Sequence, residues 1–164
     1  MTDRTRTYSW IDPGDERTSR AGRTGLEYVH ALISGAVPNT PTSATMDYRM
    51  TAAGPGWVEF QMEPHEFLTN RAGGIQGGVI AAVIDSALGT ALLTTVDQEN
   101  FTTLDLSCRY IRAIRPGTGT VTIRAEVQHR GRTTGTVTAT VHDGAGKLAA
   151  SATSTLLILS ATPS

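Results

Sequence analysis

Between Asn70 and Gly89 the chain reads NRAGGIQGGVIAAVIDSALG, and two features of this stretch can do chemistry on a carbonyl group. Asp85 is a carboxylate set among Val83, Ile84, Ala87 and Leu88, where a charge is costly to bury unless it is paired or used. Gly77 and Gly78 stand at an expected helix start, where the first N–H groups lack an intrahelical acceptor and the dipole adds about half a positive charge. Such amides can hold an oxyanion or polarise a carbonyl. Each feature also has a plain reading: Asp85 as a structural acid bonded to a nearby backbone or hydroxyl group, the glycines as a tight turn.

Spacing constrains how the two could cooperate. Eight helical residues separate Gly77 from Asp85 by about 12 Å, whereas attack on one carbonyl needs contacts near ~3 Å. A single chain therefore cannot bring both to the same atom. If both act, the Gly77 end of one helix faces Asp85 of another chain, and function is coupled to a dimer.

Positioning these groups takes a long helix, expected over about 75–94, that is apolar on nearly every side and needs cover on nearly every side. Upstream, Thr24-Gly25-Leu26-Glu27 fits a capping box that opens a short amphipathic helix through Leu26, Val29, Leu32 and Ile33, which Gly35 can end. Pro38 to Pro41 reads as a linker. Ala44–Met50 and Trp57–Met62 flank AAGPG as a hairpin, and a loop over Glu63–Gly74 leads into the long helix.

Beyond the helix, Leu104, Leu106, Cys108 and Tyr110 alternate with polar neighbours. Val121–Gln128, Thr133–Val141 and Leu148–Ile158 are rich in Val, Thr and Ala, between RPGTG, RGR and DGAGK turns. The expected class is α+β: two strands, one long helix, then four strands in antiparallel succession, as a curved sheet around the helix. Surface left uncovered predicts a partner subunit. Residues 1–23, polar and without apolar periodicity, read as an extended or mobile arm that packs on a partner through Tyr8 and Trp10.

At 164 residues the chain suits one domain, and a formal net charge of −1 gives no sign of nucleic acid or an anionic membrane as partner. Cys108 is the only cysteine, and the start lacks the apolar core of a secretory signal, so a reduced, cytoplasmic setting is expected. The most apolar run, Ile75 to Leu93, is broken by Gln76, three glycines and Asp85 and makes a poor membrane span. His30, His65, His129 and His142 are scattered without ligand spacing, so no metal centre is expected. Neither G-x-S-x-G nor G-x-G-x-x-G occurs in a suitable place.

The stretch N-R-A-G-G-I-Q-G-G-V-I-A-A-V-I-D-S-A-L-G, followed by T-T-L-D-L and G-K-L-A-A-S-A-T-S-T, resembles the hotdog-fold acyl-CoA thioesterases of the PaaI-like, phenylacetate-pathway type. The resemblance covers about residues 44–158, and Y-S-W-I-D-P near the start looks like one branch of that family. It implies a hotdog domain over 24–164, an acyl-CoA substrate with coenzyme A as part of it and no separate cofactor, and a homodimer or dimer of dimers. It also implies Asp85 as nucleophile or general base, the Gly77 amide as the group that polarises the thioester carbonyl, Asn70 as a loop residue that places the thioester or water, and Thr103 as a hydroxyl that assists across the interface.

This chain departs from that pattern at Gln76, where the family most often has His. Gln keeps a donor and an acceptor but carries no proton at neutral pH. Gly78 joins the carbonyl-binding helix start. Arg112, Arg130 and Arg132, with Arg109 and Arg115 nearby, form two basic patches expected to meet at one sheet edge and contact the phosphates of coenzyme A; solvated strand-end arginines are the alternative. His65 and Phe67, in the loop before Asn70, are candidates to line the acyl pocket. Two other functions remain open. A hotdog hydratase or dehydratase would usually resemble D-x4-H on the helix, where this chain has Thr90; a non-catalytic acyl-CoA binding module would keep the fold without the chemistry.

Overall fold

The computed structural model of the chain describes residues 3–12, 14 and 20–159. Among them, helices α1 (Gly25–Ser34) and α2 (Pro41–Met46) precede strands β1 (Tyr48–Gly54) and β2 (Trp57–Met62). A 3-10 turn at Glu66–Leu68 leads to the long helix α3 (Gly77–Leu93), and β3 (Asn100–Thr103), β4 (Ser107–Tyr110), β5 (Val121–Arg130), β6 (Thr134–His142) and β7 (Leu148–Leu159) follow. The capping box forms as expected: the Thr24 hydroxyl accepts the Glu27 N–H at 3.2 Å and the Glu27 carboxylate accepts the Thr24 N–H at 2.8 Å. Gly35 ends α1 in the left-handed region at φ 75°.

The strand expected over Ala44–Met50 begins four residues later, because residues 44–46 are helix and Asp47 caps it. Pro41 stands at the first helical positions, where its fixed φ and missing N–H cost nothing, and α2 runs to Met46 until Asp47 turns left-handed at φ 56°. β1 therefore begins at Tyr48 and takes in Ala52 and Ala53, and the hairpin turns on Pro55-Gly56 with Gly54 opposite Trp57.

The seven strands make one antiparallel sheet in the order β1-β2-β5-β6-β7-β3, with β4 also on β7. The strands after α3 are thus not laid down in simple succession, because β3 and β4 cross to the far edge and β5 returns to pair with β2. The sheet curls around α3, which buries Ile84, Leu88, Ala91 and Leu92 beneath β2, β5 and β6. Phe60, Met62, Ile123 and Val137 meet them from the sheet, each under 3% exposed, and full burial of side chains of this size contributes about 1.5–3 kcal/mol apiece. At Gly135 a Cβ would lie 2.5 Å from Leu92 Cδ1, so this glycine lets β6 close onto the helix. No helix among the described residues is long and apolar enough to cross a membrane.

The single strand expected over Leu104–Tyr110 is broken by a bulge. Thr103 lies opposite Leu156 and Ser107 opposite Thr153, so one more residue runs along this side than along β7. One extra residue reverses which side chains face inward. Phe101 and Thr103 reach α3 before the bulge, Cys108 and Tyr110 reach it after, and Leu104 is left 56% exposed. Asp105 pins the bulge: its carbonyl accepts from Ser154 Oγ at 2.7 Å and its carboxylate from the Thr155 N–H at 3.2 Å.

Candidate active site

Two cavities flank α3. The first, about 310 Å³, is lined by Asn70, Gly77, Ile80, Tyr110 and Arg112 among others; the second, about 260 Å³, by Asp85, Thr103, Tyr48, Ser86, Phe60 and Phe101 among others. Gly77 and Asp85 therefore open into different cavities of the same chain.

Asn70 builds the glycine turn ahead of α3. Its side-chain oxygen accepts from the backbone N–H of Ala72 at 2.9 Å and of Gly74 at 3.3 Å, and its own N–H donates to the Gly74 carbonyl at 2.7 Å. With that oxygen committed, the polar group Asn70 can offer a ligand is its Nδ2 amide, a donor. The turn is anchored below by the Ile75 N–H on the Ile114 carbonyl at 2.8 Å.

Gln76 is the N-cap of α3, and its side chain caps nothing. Its N–H is spent on the Leu68 carbonyl at 2.9 Å, while its own carbonyl accepts the N–H groups of Val79 and Ile80 at 3.0 and 3.3 Å. Gly77 and Gly78 thus carry the first helical amides that have no acceptor within the helix. Gly78 borders open space, but Gly77 does not: a Cβ there would meet the Tyr110 ring at 3.3 Å, and the Tyr110 hydroxyl donates to the Gly77 carbonyl at 2.8 Å. The chain reads as a helix start through its glycines, but nothing in sequence separates Gly77, roofed by Tyr110, from Gly78.

Asp85 is half-buried at the edge of the second cavity rather than enclosed by its apolar neighbours, because α3 turns Val83, Ile84, Ala87 and Leu88 into the core and leaves the acid on the less covered side. Thr103 Oγ1 donates to Asp85 Oδ1 at 3.0 Å. Within one chain, then, the Thr103 hydroxyl already meets the carboxylate of Asp85. Further in, Tyr48 Oη donates to Ser86 Oγ at 3.0 Å, and Ser86 Oγ donates to the Ala82 carbonyl at 3.0 Å. Tyr48 was outside the sequence-based candidates, since its strand gave no signal of a cavity beneath α2. Burial, with the Asp85 charge adding to it, pushes the Cys108 thiol up against a hydrogen bond with Tyr110 that works the other way. Cys108 is therefore a thiol at neutral pH and a poor rival nucleophile.

The arginines do not gather. Arg112 lines the Gly77 cavity and its N–H donates to the Ala149 carbonyl, whereas Arg130 lies level with Gly135 and, one strand on, Leu156. Ala149 and Leu156 are seven residues apart on β7, or about 23 Å, so Arg112 sits far along the sheet from Arg130 and the adjoining Arg132. Arg130 is also paired with Glu99 at 3.0 Å. His65 and Phe67 line neither cavity. The His65 Nε2 is 2.5 Å from Asp47 Oδ2, and the ring stacks on Phe67 at 4.9 Å with Arg6 lying 3.9 Å over Phe67. Among the described residues, no three or more His, Cys, Asp or Glu side chains are grouped to hold a metal ion.

Residues 72–150 match the model of the thioesterase superfamily. Solved structures agree over a longer span. A thioesterase family protein from Silicibacter pomeroyi is 27% identical over 80% of this chain and 98% of its own, with a TM-score of 0.71. A phenylacetic acid degradation-related protein from Ralstonia eutropha JMP134 is 25% identical over 79% and 98%, with a TM-score of 0.72. A Streptococcus mutans UA159 protein solved bound to acetyl CoA is 27% identical over 71% and 91%, with a TM-score of 0.65. No curated protein matches the chain.

Proposed function

We propose that this chain, a hotdog fold whose residues 72–150 match the thioesterase superfamily model, hydrolyses an acyl-CoA thioester to the free acid and coenzyme A. The observation that carries this reading is the separation of the two reactive features into two cavities, with an apolar edge beside them. Leu104, 56% exposed, follows Thr103 at the end of β3, and Tyr110 and Ile111, each 55% exposed, lie at the end of β4 beside the Gly77 cavity. A second copy docked on that edge would bury them and bring the Gly77 amide of one chain to Asp85 of the partner subunit, which one chain cannot do.

In that shared site the Gly77 N–H holds the thioester oxygen while the partner's Asp85 acts as general base or nucleophile, kept in place by its Thr103 hydrogen bond. As base, Asp85 takes a proton from water as the water oxygen bonds to the acyl carbon; the C–S bond then breaks and the proton passes to the departing thiolate. As nucleophile, its oxygen bonds to the acyl carbon, the C–S bond breaks and coenzyme A leaves as the thiolate. Water then cleaves the resulting anhydride, which restores the carboxylate and yields the free acid, with the released protons going to the thiolate and to solvent. In a single turnover in H₂¹⁸O, label in Asp85 would select the anhydride path with water attacking the Asp85 carbonyl, since the base path puts the label only into the released acid. Arg112, which lines the Gly77 cavity, would meet the phosphates of coenzyme A; because coenzyme A is part of the substrate, no separate cofactor is invoked.

Asp85→Asn should lower thiol release by at least about 10²-fold with fold and assembly intact. Near-normal hydrolysis by this variant would sink the assignment. The exposed, uncapped Gln76 side chain favours one other reading, a module that binds acyl-CoA without cleaving it. Tight acyl-CoA binding by the wild-type protein with no thiol release would select that reading.

A further inference from the structure

The N-terminal arm is not free of the domain. Over residues 3–12 it has no secondary structure and is exposed throughout, yet it is fastened to two pieces of the site scaffold at once. Arg6 donates to the backbone carbonyls of Thr45 at 2.5 Å and Ala44 at 2.8 Å, the last turn of α2. Its guanidinium carbon lies over Phe67, 3.9 Å from the ring centre, and 4.9 Å from that of Tyr8. Arg4 adds an ion pair to Glu66 at 2.6 Å, but both partners are largely exposed, so this contact is worth little. Arg6 is the element of the arm with contacts that suit a guanidinium: its two terminal nitrogens each donate to a separate carbonyl, and its carbon lies over an aromatic ring.

What Arg6 joins is the reason to single it out. On one side, α2 carries Ser43 into the wall of the Asp85 cavity. On the other, the Glu66–Leu68 turn carries the Leu68 carbonyl that receives the Gln76 N–H at 2.9 Å, one peptide before the Gly77 amide, and Thr69 bridges to Ile75 just beyond it. His65 repeats the same connection from the domain side, bonded to Asp47 at the end of α2 and stacked on Phe67. The turn that sets the start of α3 is thus held against α2 by one contact within the domain and one supplied by the arm.

We propose that Arg6 is a positioning residue for the carbonyl-binding start of α3: it clasps the Glu66–Leu68 turn to α2 and so fixes the placement of the Gly77 amide. This rests on the thioesterase reading only for its effect on rate. The clasp itself is a structural statement with its own readout.

The test compares wild type, Arg6→Ala and Arg6→Lys by thiol release and by amide hydrogen exchange. In Arg6→Ala, kcat should fall about tenfold with KM nearly unchanged, because a small misplacement of the amide is felt in the reaction rather than in substrate binding. Amides of residues 66–78 should exchange faster while those of β5, β6 and β7 keep their protection. Added guanidinium ion, at concentrations too low to denature, should restore part of the rate to Arg6→Ala. Lys should not, since an ammonium cannot lie over Phe67 and reach both carbonyls. Wild-type exchange over 66–78 in Arg6→Ala would overturn the clasp whatever the activity, and so would faster exchange spread evenly over the whole domain. Absence of thiol release from the wild-type protein would instead overturn the thioesterase reading, and the exchange pattern would still decide the clasp.

Discussion

Asp85 and Gly77, the two groups of the proposed site, are each touched closely by one side chain. Thr103 donates to one oxygen of Asp85, which leaves the other for the proposed base or nucleophile role, and Tyr110 closes over Gly77 so that an added Cβ would crowd its ring at 3.3 Å. Elsewhere in a helix, replacing Gly by Ala gains about 0.5–1 kcal/mol. At Gly77 the added methyl would press on the Tyr110 ring, where the neighbour must give by a few tenths of an ångström. Gly77→Ala should therefore cost about 10²-fold in turnover through displacement of the amide, while thermal unfolding stays near that of the wild type. Pairing it with Tyr110→Ala removes the collision, so the double variant should be more active than Gly77→Ala alone. Simple multiplication of the two single losses in thiol release would show that Tyr110 is not what excludes a side chain at Gly77.

The elements divide into those whose pattern is local and those fixed by long-range pairing. The capping box at Thr24 and the glycine stop at Gly35 were legible because each is satisfied within a few residues of sequence, and α3 was legible because seventeen nearly unbroken small and apolar residues admit little else. α2 was not, since only its leading Pro41 argues for it and Ala44–Met46 fit a strand as well. The bulge was not legible either. The alternation Leu104, Leu106, Cys108, Tyr110 looks unbroken along the chain, and only the register against β7 reveals the extra residue. That residue decides the site, because it allows Thr103 and Tyr110, seven positions apart and of opposite parity, both to face α3. Asp105 is its fastening, so Asp105→Ala should lower stability by about 1 kcal/mol through the lost hydrogen bond to Thr155. Thiol release should fall by more than that destabilisation explains, because the tether between Thr103 and Tyr110 is loosened. A denaturation midpoint shift with unchanged turnover would show that the bulge holds its register without Asp105.

At the scale of the whole molecule, separation of Gly77 and Asp85 into two cavities gives the proposed dimer a signature that no single-chain site can imitate. Each dimer would hold two sites, and each site would draw its amide from one chain and its acid from the other. A dimer of Asp85→Asn with itself has no acid in either site, and a dimer of Gly77→Ala with itself has no well-placed amide. A mixed dimer keeps one intact site, because the Asp85→Asn chain still offers its Gly77 and the Gly77→Ala chain its Asp85. Random reassociation of equal amounts makes half the dimers mixed, each with one working site of two, so mixing two nearly inactive proteins should recover about a quarter of wild-type thiol release. Leu104→Asp, which places a charge on the exposed apolar edge, should prevent both assembly and recovery, as read by sedimentation and by the same assay. A mixture that subunit exchange has demonstrably equilibrated, yet that releases no more thiol than its parents, would place amide and acid in separate reactions or in none. The coupling of chemistry to a second chain, first set by eight residues of helical rise, would then be lost with it.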